Sequence, residues 1–200
     1  MGSRQEAALQ TRKKLTEAGK KIICEKGLTN TSIEEITEAA GVSKGTFYTY
    51  FKRKEDIVFA LSQSMFGEIL EKAQNTDGDF LERLKVYMTD FSGYIEQSGV
   101  NLAQDWIRNV VDPRFADDEN YRGKLSFDIS SALGLIEAGV KKGLLKKEIP
   151  EKKMAYILTE VLYGQLLCWC ISGGSYSLRK RAEEFCDMCL EDIFGRYLVK

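Results

Sequence analysis

The 200-residue chain contains no histidine. That absence removes Ser-His-Asp and Cys-His nucleophile arrangements, Cys2His2 fingers and imidazole-based metal sites together. Neither common Gly-rich phosphate-binding pattern is present, and no acid–base cluster stands out, so an enzyme would lack visible machinery. Proline occurs only at Pro113 and Pro150. Long helical patterns run between them, which predicts an all-α fold. Residues 1–10 have no apolar core of the kind an export peptide needs. The most apolar run, 157–171, carries Glu160 and Gln165 and reads as too short to span a bilayer, so no membrane partner is expected. Five cysteines, an odd number set inside helical patterns, suit a reducing cytoplasm. Cys168-x-Cys170 and Cys186-x-x-Cys189 could in principle bind a soft metal or switch by redox. Residues two apart on a helix point about 200° away from each other, however, and cysteine is a common small core residue. No metal and no cofactor are expected.

What is present is a soluble, globular composition, 44% hydrophobic and 30% charged. The net charge of -1 is unevenly placed. Residues 1–58 hold 11 Lys or Arg against 8 Asp or Glu, whereas the remainder holds 18 against 22. A mildly basic end on an acidic body fits a nucleic-acid reader joined to a sensing domain. Ordinary surface variation gives the same numbers, so the asymmetry supports other evidence without replacing it.

That other evidence is the stretch Thr31–Phe51, which reads as two short helices around a tight turn. Thr31 or Ser32 can cap the first helix, each with a Glu three residues on (Glu34, Glu35), the capping-box spacing. Ile33, Ile36 and Ala40 share one face. Gly41 stands where a helix end needs a left-handed residue, and Ser43 can cap the next helix. Phe47 and Phe51, four apart, take its inner face. Lys44, Gly45, Thr46, Tyr48, Thr49 and Tyr50 are left pointing outward, with no acid among them. Small residues, hydroxyls and an amine are what a helix laid in the major groove needs. A purely structural helical hairpin would share much of this pattern.

The stretch resembles the DNA-binding signature of the tetracycline-repressor (TetR) family of bacterial transcription regulators. The resemblance runs from about Arg12 to Leu61. It includes Leu15, Ala18 and Ile22, Gly27, Thr31-Ser32, Ile36, the run Ala39 to Tyr48, Tyr50-Phe51 and Lys54-Glu55. Thr37 stands where the family usually has Ala, and Tyr50 where it often has His. The resemblance implies that Thr31, Ser32, Ser43, Lys44, Gly45, Thr46, Tyr48, Thr49, Tyr50 and Lys54 contact DNA, with Lys54 holding a phosphate at the start of the following helix. Arg4, in an expected flexible arm over residues 1–8, is a further candidate for phosphate contact.

Beyond the hairpin, helices are expected over about 9–26, 54–73, 80–96, 102–111, 121–142, 154–172 and 179–198, with an acidic loop over 114–120. The 121–142 helix carries Leu125, Ile129, Leu133, Ile136 and Val140 at core spacing. The last two helices are apolar over wide faces, which suggests a subunit interface through Val161, Leu162, Leu166, Phe185, Cys189, Ile193 and Tyr197; the family pairs through its last two helices. The family also encloses an effector pocket in its middle helices, which implicates Phe66, Tyr87, Phe91, Tyr94, Trp106, Phe127, Tyr163 and Trp169.

The expectation is an all-α protein of about nine helices. A three-helix, helix-turn-helix DNA-binding domain (1–56) precedes a helical effector-binding and dimerisation domain (57–200). Such a chain would be a cytoplasmic, homodimeric regulator, more a repressor than an activator. It would bind a near-palindromic double-stranded operator and a small-molecule effector. An all-helical carrier or enzyme, with the hairpin as scaffold, is the alternative.

Overall fold

In the computed structural model, Ser32 and Gly41 fix the two ends of a short helix. The Ser32 hydroxyl accepts from the Glu35 amide, and the Glu35 carboxylate accepts from the Ser32 amide, closing a capping box. Gly41 ends the helix at φ +67, a left-handed conformation that costs glycine nothing. Ser43 then caps the next helix by accepting from the Thr46 amide at 3.1 Å. The structure describes residues 3–111 and 119–199, apart from the side chains at 3, 4, 109, 110 and 119–122. Within them the order is α1 (Ser3–Lys26), α2 (Ile33–Ala40), α3 (Lys44–Tyr50), α4 (Glu55–Asn75), α5 (Phe80–Ser98), α6 (Val100–Val110), α7 (Glu119–Lys141), α8 (Glu151–Ile171) and α9 (Leu178–Phe194).

Three cores organise these helices. Leu15 and Ile23 of α1, Leu28, Ile36 of α2, Phe47 and Phe51 around α3, and Ile57 of α4 make the first. Each fully buried large side chain here contributes roughly 1.5–3 kcal/mol, which is how a seven-residue helix such as α3 is held in place. The second and largest core joins Phe66, Ile69 and Ala73 of α4 to α5, α7, α8 and α9, with α5 packed along α9 and α7 along α8. A third, small core of Ala103, Leu166, Trp169, Cys170 and Leu178 ties α6 to α8 and to the start of α9.

Several sequence expectations need correction. Residues 3–8 continue α1 and form no arm; Arg4's side chain lies outside the described part. Of the expected acidic loop, residues 114–118 fall outside the described residues, and 119–120 already belong to α7. Leu125 is 46% exposed, because the buried face of α7 begins one position earlier, with Lys124, Asp128, Ser131 and Ala132. The last helix stops at Phe194 and passes into a 3-10 turn at Gly195–Tyr197. There the chain leaves the helix to pair with the loop after α7: the Lys146 amide donates to the Tyr197 carbonyl and the Val199 amide to that of Leu144. Helix α8 as a whole has 21 residues and is long and apolar enough to cross a membrane by length and composition. Its apolarity has a local cause, since Met154, Leu158, Leu162, Leu166 and Trp169 fill two of the three cores.

Glycines on α7 provide a test of packing against propensity. A Cβ on Gly139 would lie 2.7 Å from Cδ2 of Phe80 and 3.0 Å from Leu145, both buried. A Cβ on Gly134 would meet nothing within 4 Å. Alanine gains up to about 1 kcal/mol over glycine in a helix interior, whereas overpacking costs about 1–3 kcal/mol. Gly134→Ala should therefore raise the melting temperature and Gly139→Ala lower it, by about 2–4 °C per kcal/mol. Thermal unfolding followed by circular dichroism checks the opposite signs.

Candidate nucleic-acid interface and ligand pocket

Burial of Phe47 and Phe51 decides which residues α3 shows to the outside. Lys44, Gly45, Tyr48 and Thr49 are exposed, Tyr48 by 52% with its ring edge-on to Phe47, while Thr46 is half-buried. Tyr50 packs against the first core. Lys44 pairs across the turn with Glu34 of α2, which holds the Glu34 carboxyl below its usual range and pushes the Lys44 ammonium up. Lys26 pairs with Glu35 and, with help from Ser32, holds that carboxyl at about 2, so the α2 capping box stays ionised across the whole neutral range.

Four of the residues expected at DNA carry out work inside the domain, Ser43 as the cap of α3. Thr31 is buried and its hydroxyl donates to the Gly27 carbonyl at 2.7 Å. The Ser32 hydroxyl is occupied by the capping box. Lys54 reaches back to donate to the carbonyl of Thr31 at 2.7 Å, with that of Thr29 at 3.3 Å, bracing the turn before α2. The amides just ahead of α4 are also taken up within the domain. Asp56 folds back to accept from the amides of Lys52 and Arg53 at 2.8 and 3.0 Å.

Behind the reader lies an apolar slot with about 730 Å3 of atom-free space, part of it open to solvent. Its walls come from α1 (Lys20, Ile23, Cys24), α4 (Val58, Leu61, Ser62, Phe66), α5, α6, α7 and α8. Of the eight predicted ligand residues, Phe66, Phe91, Tyr94, Trp106 and Tyr163 line it. The other three do not: Tyr87 is buried in the second core, Phe127 packs on that core, and Trp169 sits in the third with its indole N–H on the Tyr176 carbonyl. Phe66 and Phe91 stack at 4.4 Å between ring centres, and Tyr94 stands edge-on to Phe66.

Sequence reasoning missed the slot's polar core. Lys124 and Asp128, one turn apart on α7, are 4% and 2% exposed and form an ion pair. The Lys124 ammonium also lies 4.4 Å from the Phe66 ring centre, a cation–π contact that helps it tolerate burial. Burial pushes its pKa down, opposed by Asp128. The Tyr163 hydroxyl donates to Asp128 Oδ2 at 2.7 Å, and burial pushes its pKa up. The available signal was two opposite charges four apart, Lys124 and Asp128, beside Leu125 on α7.

The expected subunit interface divides in two. Leu162 and Leu166 turn into the chain's own cores, and Leu166 also lines the slot. They are therefore corrected away from the outer face. Val161, Phe185, Cys189, Ile193 and Tyr197 are half-buried. The apolar residues left in the open are others: Tyr156, Ile157, Leu167 and Ile171 on α8, Ile171 by 78%, and Met188 on α9 by 77%. With Gly164 the four α8 residues share one face at helical spacing, a face that also carries the exposed Glu160.

Residues 15–61, from the middle of α1 into α4, match the sequence profile described as bacterial regulatory proteins, tetR family. Over nearly its full length the chain is similar to the transcriptional regulator AcrR of Shigella flexneri, with 26% identity over 92% of this chain and 89% of that protein. It is likewise similar to the fatty acid metabolism regulator protein of Bacillus subtilis, at 22% identity over 91% and 95%. The fold matches that of Thermus thermophilus FadR, a transcriptional repressor solved in complex with lauroyl-CoA, with a TM-score of 0.73 over 94% of this chain and 96% of that one, at 18% identity. The matched stretch is the one that builds the capped hairpin, the exposed face of α3 and the brace at Lys54. Residues 15–61 thus carry the signature of the tetR family of bacterial regulatory proteins, on a chain whose fold and full length resemble transcription regulators.

Proposed function

We propose that this chain acts in the cytoplasm as a homodimeric repressor: a DNA-reading domain (1–56) binds a near-palindromic operator, and an effector and dimerisation domain (57–200) releases it when the slot fills. The observation that carries the reading is that the slot has a wall from the reader itself, Lys20, Ile23 and Cys24 of α1, facing walls from α4 to α8. A molecule seated there touches both halves. Its apolar lining supports a ligand with a hydrocarbon or aromatic body, in keeping with relatives that regulate fatty acid metabolism or hold lauroyl-CoA. With no histidine in the chain and regulators as its relatives, we assign no catalytic step.

In a dimer, two α3 helices would enter successive major grooves about 34–36 Å apart. Lys44, Thr46, Tyr48 and Thr49 are the contacts proposed there, with the Gly45 backbone able to come close. Replacing Lys44 and Tyr48 together by Ala should weaken binding to every duplex sequence. It should also reduce the slope of log K against log salt by about 1 for each phosphate that is no longer neutralised. Anisotropy titrations over about 50–200 mM salt measure both; an unchanged affinity and slope would take α3 out of the groove.

The exposed stripe of α8, with Met188 of α9, is the proposed dimer surface, because a second copy presents the same apolar face to it. Leu167→Glu adds a second acid to a face that already holds Glu160 and should leave a folded monomer with operator affinity reduced by about tenfold or more. Sedimentation velocity distinguishes that outcome from an undisturbed dimer, which would move the interface elsewhere.

If the slot couples to the reader, ligand and operator must oppose each other by the same factor, about 5–150-fold for a coupling of about 1–3 kcal/mol. Using lauroyl-CoA as probe, its affinity should fall by that factor when operator is saturating. Equal affinities with and without operator would dissociate the slot from DNA release.

A further inference from the structure

The polar cluster in the slot is incomplete. Asp128 Oδ2 takes both the Lys124 ammonium and the Tyr163 hydroxyl, while Oδ1 is buried with no hydrogen-bond partner. An ionised carboxylate oxygen is a strong acceptor, and leaving one unmet in an apolar site costs more than leaving a neutral group unmet. Asp128 lines the slot, and its Oδ1 is closed to a water-sized group in this packing, so a donor reaches it only when an entering ligand parts the side chains around it.

The charge balance narrows what that donor can be. Lys124 and Asp128 already neutralise each other, and the ammonium is further occupied by the faces of Phe66 at 4.4 Å and Phe91 at 5.8 Å from the ring centres. A ligand ammonium would be brought against Lys124, whereas a ligand carboxylate would compete with Asp128 for it and offer no proton. A saturated hydrocarbon chain has no donor at all. A neutral hydroxyl supplies one O–H and adds no charge.

We propose that Asp128 is the polar anchor of the slot and that its ligand is a mainly apolar molecule carrying a neutral hydroxyl, which donates to Asp128 Oδ1. The assignment rests on the slot being the effector site. It differs from the acyl-CoA precedent among the relatives by requiring a hydroxyl donor inside the slot, next to α7. Asp128 then selects the ligand's head group and the aromatic walls hold its body.

A matched probe pair tests this on the full-length protein: 4-octylphenol and its methyl ether, 4-octylanisole, which keep the same body and differ by one donor. Isothermal titration should show wild type binding the phenol about 10–100-fold more tightly than the ether, the range expected for a hydrogen bond to a charged acceptor. In Asp128→Leu the preference should fall to near one, with the ether bound at least as well as before. Should Asp128→Leu fail to fold by circular dichroism, Asp128→Asn serves instead and should reduce the preference to a few-fold. If both probes bind wild type equally, the anchor is overturned while the slot stands as a ligand site. A preference that survives in both variants also overturns it, because the donor is then met elsewhere. If neither probe nor lauroyl-CoA binds wild type, the slot reading itself fails and the anchor goes with it.

Discussion

Helix α4 is packed into two hydrophobic cores at once, and the rest of the structure depends on that sharing. At its start Ile57 is fully buried among the reader's Leu15, Ile36 and Phe47. Two turns later Phe66 and Ile69 belong to the core of the second domain. Protein interiors are close-packed and resist continuous deformation, so neither end of α4 moves without its core following. A helix held in two cores in this way is suited to act as a lever between them. Gly19 on α1 shows how tight the near end is: a Cβ there would stand 2.8 Å from Ile57. A second strut runs from α6, where Leu102 packs on the first core and Asp105 meets the Thr29 hydroxyl at 3.4 Å.

The reader spends much of its polar inventory on itself. Ser32 and Ser43 cap α2 and α3, Thr31 and Lys54 brace the turn between α1 and α2, and Asp56 neutralises the amides ahead of α4. Each such bond satisfies a backbone group that a helix end leaves open. The consequence is a rigid frame in which few side chains remain free to choose a partner. The proposed recognition surface is the exposed side of α3, where Lys44 is paired with Glu34 and would have to exchange it for a phosphate. Exchanging an exposed ion pair for a phosphate contact costs little, because exposed pairs are worth about 0–1 kcal/mol.

The parts of this structure legible in the sequence are the ones set by local rules. The capping box at Ser32, the left-handed Gly41, the inward Phe47 and Phe51, and the break before α5 all follow from residues within four positions of one another. The phase of α7 was not legible. Its apolar residues fit two stripes one position apart, and only packing against α4 and α8 selects the one that buries Lys124 and Asp128 and leaves Leu125 out. The pocket was half legible for the same reason. Aromatic residues announce themselves, but whether a ring faces the slot, as Trp106 does, or a core, as Trp169 does, depends on helix rotation. Similarly α8 read as apolar all round, and the sequence alone did not separate Leu162 and Leu166, which face inward, from Leu167 and Ile171, which face out.

The slot and the lever are joined by geometry. Val58, Leu61, Ser62 and Phe66 put one face of α4 into the slot wall, and α1 supplies the wall on the reader's side. A ligand therefore acts where the two cores meet, with no chain of intermediates to cross. Helix α4 has 21 residues, about 31 Å at 1.5 Å each, so a tilt of about 5° displaces its far end by nearly 3 Å. In the proposed dimer such a displacement would occur at both readers. That is enough to spoil two groove contacts that must be made together, because a hydrogen bond fails within a fraction of an ångström beyond its range. Lys124, paired with Asp128, also lies over the Phe66 ring of α4, so under the proposed anchoring a guest that engages Asp128 would act on the contact between α7 and α4.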